Sequence, residues 1–548
     1  MHPRASDFTE QMQGLIDVSC RLLKQRCATN GVFDDTKLDA VQSAAYGLAF
    51  STAEIEAARQ VAAYAGRRGI SDSFGAGLAE FFVADALNAV RTRLLRCPAD
   101  FGLAAGMVDF LAPGTSFSHA IESQLCSSNC NDLGRELLKR GGLLPDADLN
   151  DDQTMIRETF ARFADRSVAP IAETIHRGDL DIPDSLLQEA ADLGLFAVCI
   201  PQRYGGLKPD TAEDTMSMIL VTEELSRVSL GAAGSLLTRP EIVARALLAE
   251  GTEDQRRQWM PRLATGETLA AVAVTEPNFG SDVAAVRLRA TRVPGGWQLD
   301  GQKTWCTFAG KASLLLVLAR TDADLAKAHR GLTLFIVEKP CGSGHEFEYR
   351  STRGGRLTGK SIPTIGYRGM HSFDLFFDGL FVPDSGAVGG EKGIGRGFYA
   401  TMQGFAGGRI QTAARATGVM RGAYDQAMAY AAQRRVFGKA IAEYPLAVAT
   451  LLRMAAVLVA SREFSHAVAQ LMDRGEGQMQ ASLVKLFTCR TAEWVTREAM
   501  QIHGGNGYAE ASAVSRFYVD ARVLSIFEGA EETLALKVVG RDLIKNAC

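Results

Sequence analysis

A single block of strand-like sequence, residues 270–388, interrupts a chain that is otherwise helical in pattern. Short apolar runs such as Ala271–Val274 and Leu314–Ala319 are separated by turn residues, and Gly295-Gly296 and Asp300-Gly301 are typical of hairpin turns. Because strands and helices do not alternate along the chain, a doubly wound dinucleotide-binding fold is disfavoured. This order predicts a compact all-β domain inserted between helical domains.

The 548 residues exceed what one hydrophobic core can hold, so about three or four domains are expected. The first 148 residues have apolar side chains at helical spacing but no chemical motif, and we expect them to serve in packing or assembly. We predict four domains: a helical N-terminal extension (1–148), a helical domain (149–269), the β-domain (270–388) and a C-terminal helical bundle (389–548).

Composition restricts the partners and the compartment. The net charge of -4 and the pI near 6.1 give no reason to expect a nucleic acid or an anionic membrane as a partner. The longest apolar runs fall short of the roughly 20 residues that span a bilayer, and the first residues include an acid but no apolar signal segment. We therefore expect a cytoplasmic protein with no membrane partner.

Cysteine and histidine spacing predicts neither disulfides nor a metal site. The ten cysteines are scattered, and Cys126 and Cys130 form a lone C-x3-C without a second pair at zinc-finger spacing. The eight histidines are dispersed, and no H-x-x-x-H pattern occurs. We expect reduced thiols and no bound metal.

One carboxylate near the C-terminus stands among apolar residues. Glu528 follows Ile526 and Phe527 and directly precedes Gly529. A carboxylate in such surroundings suits a general base that works near neutral pH. Surface loops of the same composition are common, so this stretch alone leaves the assignment open.

Two segments of the β-domain combine features that a flat heteroaromatic cofactor needs. Val274–Asp282 follows a predicted strand and gathers hydroxyls, backbone donors and a proline, and Gln302–Thr307 adds an indole and further hydroxyls. Such a cofactor requires a stacking ring on one face and donors along its polar edge. Taken separately, the two segments could equally be a turn and a core strand.

Two glycine-rich stretches have different predicted roles. Gly389–Gly397 lies between a strand and a helix but lacks the Rossmann and Walker spacings, so we interpret it as a flexible connector. His503–Tyr508 ends a long helix with consecutive glycines, whereas a plain helix end needs only one. Consecutive glycines allow a ligand or another backbone to approach closely.

In order and spacing, these motifs resemble those of acyl-CoA dehydrogenases over residues 150–548. The matching segments are Val274–Asp282, Gln302–Thr307, Arg434–Lys439, Gln501–Tyr508 and Ile526–Gly529. The resemblance implies a mainly α fold with an inserted β-domain: an α-helical domain, a β-barrel-like middle domain and a C-terminal four-helix bundle, here with an N-terminal helical extension. It also implies FAD between the middle domain and the bundle, reaching a neighbouring subunit.

The resemblance assigns the FAD contacts by position. The residues expected along the flavin ring and the adjoining thioester and CoA are Val274, Thr275, Gly280 and Ser281. Those expected on the other side of the flavin are Trp305 and Thr307. Those expected to hold the pyrophosphate and adenosine of a neighbour's FAD are Arg434, Phe437, Gln501, Gly504 and Gly505.

The same resemblance makes Glu528 the catalytic base. Some relatives carry that base on the first helix of the bundle, where this chain has Gly408 beside Arg409. Three positions depart from the family pattern. Phe279 stands where a small residue is usual, and Ala530 and Glu532 replace a hydroxyl and an amide that touch FAD in relatives. We therefore do not assign FAD contacts to Ala530 or Glu532.

The implied reaction is α,β-dehydrogenation of an acyl-CoA, with Glu528 taking the α-proton, flavin N5 the β-hydride, and an electron-transfer flavoprotein reoxidising the flavin. The layout with a long extension resembles that of family members that convert (2S)-methylsuccinyl-CoA to mesaconyl-CoA in the ethylmalonyl-CoA pathway, and this resemblance implies the same substrate here. A free substrate carboxylate needs a cationic partner, for which Arg239 and Arg409 are the candidates, with Ser281 as a further substrate contact. A homodimer is expected, with a tetramer as the alternative.

Other functions on this fold remain open at this point. An acyl-CoA oxidase, or a dehydrogenase of another short branched acyl-CoA, would also use Glu528. A flavin monooxygenase would not need that base. A non-catalytic nucleic-acid-binding relative should have a basic bundle, whereas acids such as Glu463 and Glu493 are interleaved with the arginines here.

Overall fold

A computed structural model describes residues 4–69 and 72–547, and the chain divides into two compact units. The bundle unit comprises Met1–Asn150 and Thr412–Cys548, and the β unit comprises Asp151–Gln411. The N-terminal extension therefore packs with the C-terminal helices, although more than 250 residues of sequence separate them.

Within residues 4–69 and 72–148, the extension has five α-helices and one short hairpin. The helices are α1 (Thr9–Arg26), α2 (Gln42–Arg68), α3 (Ser73–Arg96), α4 (Ser116–Leu125) and α5 (Ser127–Lys139), and the hairpin strands are β1 (Ala28–Thr29) and β2 (Val32–Phe33). Side-chain caps begin two of the helices. Asp72 accepts a hydrogen bond from the Gly75 N–H at the start of α3, and Thr115 accepts one from the Ser118 N–H at the start of α4.

Six helices follow at the start of the β unit. They are α6 (Asp151–Phe163), α7 (Ala169–Gly178), α8 (Asp184–Asp192), α9 (Thr215–Val228), α10 (Thr238–Glu250) and α11 (Glu253–Ala264). Nearly every residue of α9 is buried, as expected of a central helix. A capping box formed by Thr252 and Gln255 begins α11.

The inserted β-domain is one eight-stranded sheet. Its strands are β3 (Ala270–Ala273), β4 (Arg289–Val293), β5 (Gly296–Thr307), β6 (Leu314–Arg320), β7 (Leu332–Glu338), β8 (Glu346–Arg350), β9 (Arg356–Ser361) and β10 (Ser372–Pro383). The strand order is β3-β6-β4-β5-β10-β9-β8, and β7 pairs with β6. All seven residues of β6 are buried, because strands lie on both of its edges and its side chains pack in the domain core.

One of the two predicted hairpin turns in this domain is wrong. The turn at Gly295 joins β4 to β5, as expected, with Val293 opposite Gly296. Asp300 and Gly301, however, lie inside β5. There Asp300 Oδ1 accepts a hydrogen bond from the Gly379 N–H at 2.8 Å, and the pairing with β10 shifts register. Gly301, with a φ of +136°, therefore lies in a β-bulge within the continuous strand β5.

The C-terminal region is helical again. Its elements are α12 (Gly397–Gln433), the hairpin strands β11 (Arg435–Val436) and β12 (Lys439–Ala440), α13 (Pro445–Asp473), α14 (Gln478–His503), α15 (Gly505–Tyr508), α16 (Ala513–Leu524), α17 (Glu531–Thr533) and α18 (Arg541–Lys545). Within the described residues, α13 alone is long and apolar enough to cross a membrane by length and composition, and 61% of its most apolar window is buried inside the protein. The predicted fold class, mainly α with an inserted β-domain, is confirmed.

Within the bundle unit, the extension covers α13 and α14 through mixed contacts. The rings of Phe82 and Phe487 meet edge to face with centroids 5.8 Å apart. The Tyr424 hydroxyl donates to the Gly142 carbonyl at 2.9 Å, and the Arg462 guanidinium donates to the Pro145 carbonyl at 2.8 Å. The segment that contains Gly142 and Pro145, after α5, is thus fixed to the bundle by hydrogen bonds to its backbone.

Candidate active site

In the β unit, the segment after β3 is joined to β5. Val274–Asp282, here called the Thr275 loop, begins where β3 ends, and the Thr304 N–H donates to the Thr275 carbonyl at 2.9 Å. This hydrogen bond brings Val274 and Thr275 beside the strand that carries Trp305 and Thr307. These four predicted flavin contacts therefore lie close together in one unit.

A buried ion pair fixes the base of the Thr275 loop. Lys303 has no exposed surface, and its ammonium donates to a Glu276 carboxylate oxygen at 2.9 Å and to the Val274 carbonyl at 2.8 Å. Glu276 also accepts from the N–H groups of Arg287 and Leu288, each at 2.7 Å. Burial lowers the pKa of Lys303, against the effect of the adjacent Glu276 carboxylate. Two of these four hydrogen bonds tie the loop to β5, and two tie it to the segment that precedes β4.

The tip of the Thr275 loop is a tight turn. The backbone N–H groups of Glu276 and Phe279 each donate to the other residue's carbonyl, at 3.1 and 3.0 Å. Phe279, which departs from the family pattern, lies under the Arg287 guanidinium, 5.3 Å from ring centroid to Cζ. Beyond the turn, Gly280 and Ser281 are exposed, and a Cβ at Gly280 would meet only the Thr275 methyl at 3.8 Å. The loop therefore leaves open space beside its backbone.

At the end of β5, Trp305 presents an open ring face. Its backbone has a φ of +57°, unusual for a bulky residue, and its side chain is 55% exposed. Thr307, two residues on, is buried, and its hydroxyl is hydrogen-bonded to the Ser372 hydroxyl at 3.0 Å. An exposed indole beside hydroxyl groups provides the stacking surface and polar edge that a flavin requires.

The candidate carboxylate partners lie on the helical side of the β unit. Arg239, on α10, is only 7% exposed, and Arg409, on α12, is half-buried. Burial raises the pKa of the Cys306 thiol in β5 to about 12. The positive charge of Lys303 and, to a smaller extent, that of Arg239 lower this pKa. The Arg239 guanidinium is therefore within electrostatic range of the strand that holds Trp305.

Glycines allow α12 to approach α10 closely. A Cβ at Gly407 would meet the Glu241 carboxylate at 2.1 Å, and one at Gly404 would meet the Ile242 carbonyl at 2.9 Å. Gly408, the alternative position for a base, is buried and directly follows Gly407. Glycine provides no acid–base group at this position.

In the bundle unit, Glu528 lies in a loop with unusual backbone geometry. Ser525–Gly529, here called the Glu528 loop, follows α16 directly. Glu528 has a φ of +55° and Gly529 a φ of +103°. Left-handed backbone at a non-glycine residue has an energetic cost and is often found at functional sites. The Glu528 side chain is half-buried, between the extremes of a core and a surface carboxylate.

Three neighbouring side chains hold the Glu528 loop. The Lys485 ammonium, with the side chain 1% exposed, donates to the Gly529 carbonyl at 2.6 Å. The Ser525 hydroxyl donates to the Glu493 carboxylate at 2.5 Å. The buried Arg415 guanidinium lies over the ring of Phe527, 4.6 Å from its centroid. These contacts flank Glu528 on both sides along the chain.

The N-terminal extension contacts Glu531, which follows the Glu528 loop. The Tyr46 hydroxyl, on α2, donates to the Glu531 carboxylate at 2.6 Å, and the Arg490 guanidinium donates to the same oxygen at 2.5 Å. Burial and the bond to Glu531 raise the pKa of Tyr46 to about 12. Arg490 also lies 3.7 Å from the ring centroid of Phe50 on α2. The extension thus contacts a residue three positions from the predicted base.

Ala530 and Glu532 line a cleft of about 370 Å³ at the foot of the Glu528 loop. Its other lining residues are Arg490, Glu493, Arg522, Ser525, Ile526 and Glu531. The Arg522 guanidinium is 3.2 Å from the Glu493 carboxylate that also accepts from Ser525. Two of the three departures from the family pattern therefore lie in one depression of the bundle unit.

The five residues predicted to hold a neighbour's FAD are adjacent in the bundle unit. Arg434 and Phe437 belong to the β11–β12 hairpin, where Phe437 is 99% exposed with a φ of +49°. The Tyr430 ring stacks on His503 at 4.2 Å, and its hydroxyl accepts from Asn506 at 3.0 Å, which joins the start of the hairpin to the end of α14. At Gly504 and Gly505 a Cβ would meet nothing within 4 Å.

Sequence analysis did not identify the residues that position these segments. Glu276, Lys303, Lys485 and Arg415 are ordinary charged residues in the sequence, and their burial becomes visible only in the fold. Tyr46 lies in an extension without any motif, 485 residues from its partner. Only Glu276 and Lys303 could have been suspected from the sequence, because they lie inside the motifs Val274–Asp282 and Gln302–Thr307.

Comparisons with known proteins identify the same family in successive segments of the chain. Three family models match: the acyl-CoA dehydrogenase N-terminal domain over residues 150–267, the middle domain over 271–380 and the C-terminal domain over 395–544. (2S)-Methylsuccinyl-CoA dehydrogenase from Cereibacter sphaeroides is 36% identical over 98% of this chain and 97% of its own length.

Solved structures have the same fold over the part of the chain that follows the extension. Butyryl-CoA dehydrogenase from Megasphaera elsdenii is 30% identical with a TM-score of 0.66, covering 73% of this chain and 100% of that one. A chain in the structure of the electron transferring flavoprotein of Acidaminococcus fermentans is 29% identical with a TM-score of 0.65, covering 73% and 99%. This protein is therefore a member of the acyl-CoA dehydrogenase family, the oxidoreductases that act on a CH–CH bond of an acyl-CoA thioester.

Proposed function

We propose that this enzyme catalyses the FAD-dependent α,β-dehydrogenation of (2S)-methylsuccinyl-CoA to mesaconyl-CoA. The observation that carries the substrate assignment is the extent of the similarity to (2S)-methylsuccinyl-CoA dehydrogenase, which includes the extension and reaches 98% of this chain. The solved relatives described above match 73% of it. A shared extension distinguishes this relative from dehydrogenases of ordinary length.

The residues of the β unit fit a flavin. The exposed Trp305 indole offers a stacking face, Thr275 and Ser281 provide hydroxyls, and the backbone at Gly280 is open. When bound, FAD supplies the acceptor for the hydride that leaves the β-carbon. The Glu276–Lys303 pair holds the Thr275 loop in place, so that its donors need little reorganisation when the cofactor binds.

Glu528 is proposed as the base that removes the α-proton. A thioester α-proton is weakly acidic, so its removal needs a positioned carboxylate and hydrogen-bond donors for the developing enolate oxygen. The contacts of Lys485, Glu493 and Arg415 restrict the Glu528 loop and so limit the positions that the carboxylate can adopt. Gly408 cannot take over this role, because it has no side chain.

Arg239 is proposed as the partner of the substrate carboxylate, with Arg409 as the second candidate. A carboxylate that leaves water needs charge-assisted hydrogen bonds, and arginine offers a bidentate geometry for them. Arg239 is buried, and its positive charge opposes the effect of burial that raises the pKa of Cys306 in β5, the strand of Trp305 and Thr307. Arg409 is more exposed.

We further propose that an electron-transfer flavoprotein reoxidises the enzyme and that the enzyme is a homodimer. The assignment of Arg434, Phe437, Gln501, Gly504 and Gly505 to a neighbour's FAD is supported by the nearly complete exposure of Phe437 and the open space at both glycines. The electron acceptor is supported by family membership. We expect the extension, which covers α13 and α14, to restrict assembly beyond a dimer.

The test begins with the absorption spectrum of the purified protein, which should be that of an oxidised flavin. Anaerobic addition of methylsuccinyl-CoA should bleach it faster than butyryl-, isobutyryl- or glutaryl-CoA. Faster bleaching by an uncharged thioester would contradict the dicarboxylate substrate. Oxygen consumption without an added acceptor would identify an oxidase instead, and electron-transfer flavoprotein reduction separates the two outcomes.

A further inference from the structure

A group of acidic and imidazole side chains lies outside the flavin and substrate residues of the β unit. Asp179 ends α7, His345 precedes β8 and His371 precedes β10. One potential ligand atom from each of these three residues lies within 4.8 Å of the other two. We call these residues, with Asp181, the histidine–aspartate cluster. Along the chain, Asp179 is 166 residues from His345 and 192 residues from His371, so no local sequence spacing reveals the cluster.

The hydrogen bonds of the cluster orient both imidazole rings. His371 Nδ1 is 3.1 Å from Asp181 Oδ1, and its Nε2 is 3.2 Å from Asp179 Oδ1. His345 Nε2 is 3.0 Å from the Asp179 carbonyl, which can only accept a hydrogen bond. His345 Nε2 must therefore carry the proton, and its Nδ1, 3.9 Å from Asp179 Oδ2, presents a lone pair to the carboxylate side.

We propose that the histidine–aspartate cluster binds one divalent transition-metal ion through Asp179, His345 Nδ1 and His371 Nε2. In metal sites a ligating histidine almost always donates its other N–H to a carboxylate or a backbone carbonyl, which fixes ring orientation and tautomer. Both histidines already have such acceptors, Asp181 for His371 and the Asp179 carbonyl for His345. Asp181 is itself held by the Gly344 N–H at 2.5 Å.

The ligand set selects the type of metal. Two imidazoles and one carboxylate suit zinc and neighbouring transition metals, whereas magnesium and calcium prefer oxygen ligands. Arg368 Nε lies 3.5 Å from Asp179 Oδ1, so two carboxylates and one guanidinium give the metal-free site a net negative charge when both imidazoles are neutral. A fourth ligand would be water, because His345 is partly exposed and gives access to the site.

The structure assigns the metal a stabilising role. The three ligands join the end of α7 to two loops of the β-domain, and a metal that binds only the folded state raises stability with the logarithm of its free concentration over its Kd. None of the four residues belongs to the proposed flavin or base machinery. The proposal is thus independent of the substrate and of the reaction.

The test uses the full-length protein, dialysed against a chelator and titrated with zinc sulfate in a calorimeter. We expect one zinc ion per chain and a rise in unfolding temperature that increases with zinc concentration. His345→Ala removes one ligand and should weaken zinc binding at least 100-fold. Asp181→Asn keeps all three ligands and should weaken it by about 10- to 100-fold.

His119→Ala is the matched control, because it removes an exposed histidine on α4 of the bundle unit and should leave zinc binding unchanged. Circular dichroism confirms that each variant is folded. His345 has a partly exposed side chain, so its replacement should be tolerated. Absence of stoichiometric zinc binding by the wild-type protein, or equal affinity in His345→Ala, would overturn the proposal.

Discussion

The Thr275 loop and the Glu528 loop are held by contacts of different kinds. The first is fixed at its base by the buried ion pair of Glu276 with Lys303, whose carboxylate also accepts from two backbone N–H groups. The second is fixed by several contacts from α12, α14 and the segments that follow, among them Lys485 and Arg415. Loss of the buried pair should therefore loosen the whole Thr275 loop, whereas loss of any one contact near the Glu528 loop should have a smaller effect. Of the variants below, Lys303→Met changes the pair, and Tyr46→Phe changes one contact of the segment that follows Glu528.

The largest effect is expected for Glu528→Gln. Loss of the proposed base should lower turnover by about 10²- to 10⁴-fold, because a positioned general base contributes that much to proton transfer. Bound FAD should be retained, and substrate should no longer bleach it in the stopped-flow spectrometer. Glu476→Gln removes the same charge at an exposed turn and is the control. Normal turnover of Glu528→Gln would refute the assignment.

Lys303→Met should be the most destabilising of these changes. It leaves the Glu276 carboxylate buried without its cation, which typically costs about 3 to 5 kcal/mol of the free energy of unfolding. Urea unfolding followed by fluorescence measures this loss, and FAD content should fall with it. The double variant Lys303→Met/Glu276→Gln removes both charges and should recover part of the stability. A neutral effect of Lys303→Met would show that the pair does not fix the Thr275 loop.

Arg239→Met tests the substrate rather than the scaffold. Loss of charge-assisted hydrogen bonds worth about 1.5 to 3 kcal/mol should lower kcat/KM for methylsuccinyl-CoA by about 10- to 100-fold. The value for butyryl-CoA, which has no carboxylate, should change little. The same pair of measurements on Arg409→Met decides between the two arginines: selective loss in that variant would transfer the role to Arg409.

The smallest effect is expected for Tyr46→Phe, which removes one hydrogen bond to Glu531. Such a bond contributes about 0.5 to 1.5 kcal/mol to stability, so the free energy of unfolding should fall by that amount, and turnover should fall by no more than about 10-fold because Tyr46 touches no reacting group. Because the raised pKa of Tyr46, about 12, keeps its hydroxyl protonated, the ratio of wild-type to variant turnover should be constant through neutral and mildly alkaline pH. Tyr64→Phe removes a comparable bond within the extension, to the Asp146 carbonyl, and should leave turnover unchanged.

The motifs and the order of helical and β segments could be predicted from the sequence because they depend on local pattern. The β block between helical segments, the hairpin at Gly295 and the glycine-rich end of α14 are all local features. The turn predicted at Asp300-Gly301 was wrong because the same dipeptide serves a bulge when the Asp300 side chain bonds the facing strand. The burial of Lys303 and the histidine–aspartate cluster depend on long-range packing, which local pattern does not encode.

The hydrogen bond between Tyr46 and Glu531 also bears on how such a long dehydrogenase can be dissected or redesigned. The extension resembles a removable module, yet it completes the polar surroundings of the segment that follows the proposed base and covers apolar surface at Phe487. A truncated enzyme would therefore not be equivalent to a naturally short dehydrogenase. Conversely, a short relative that receives the extension would also need a carboxylate at the position of Glu531 to accept the hydrogen bond from Tyr46.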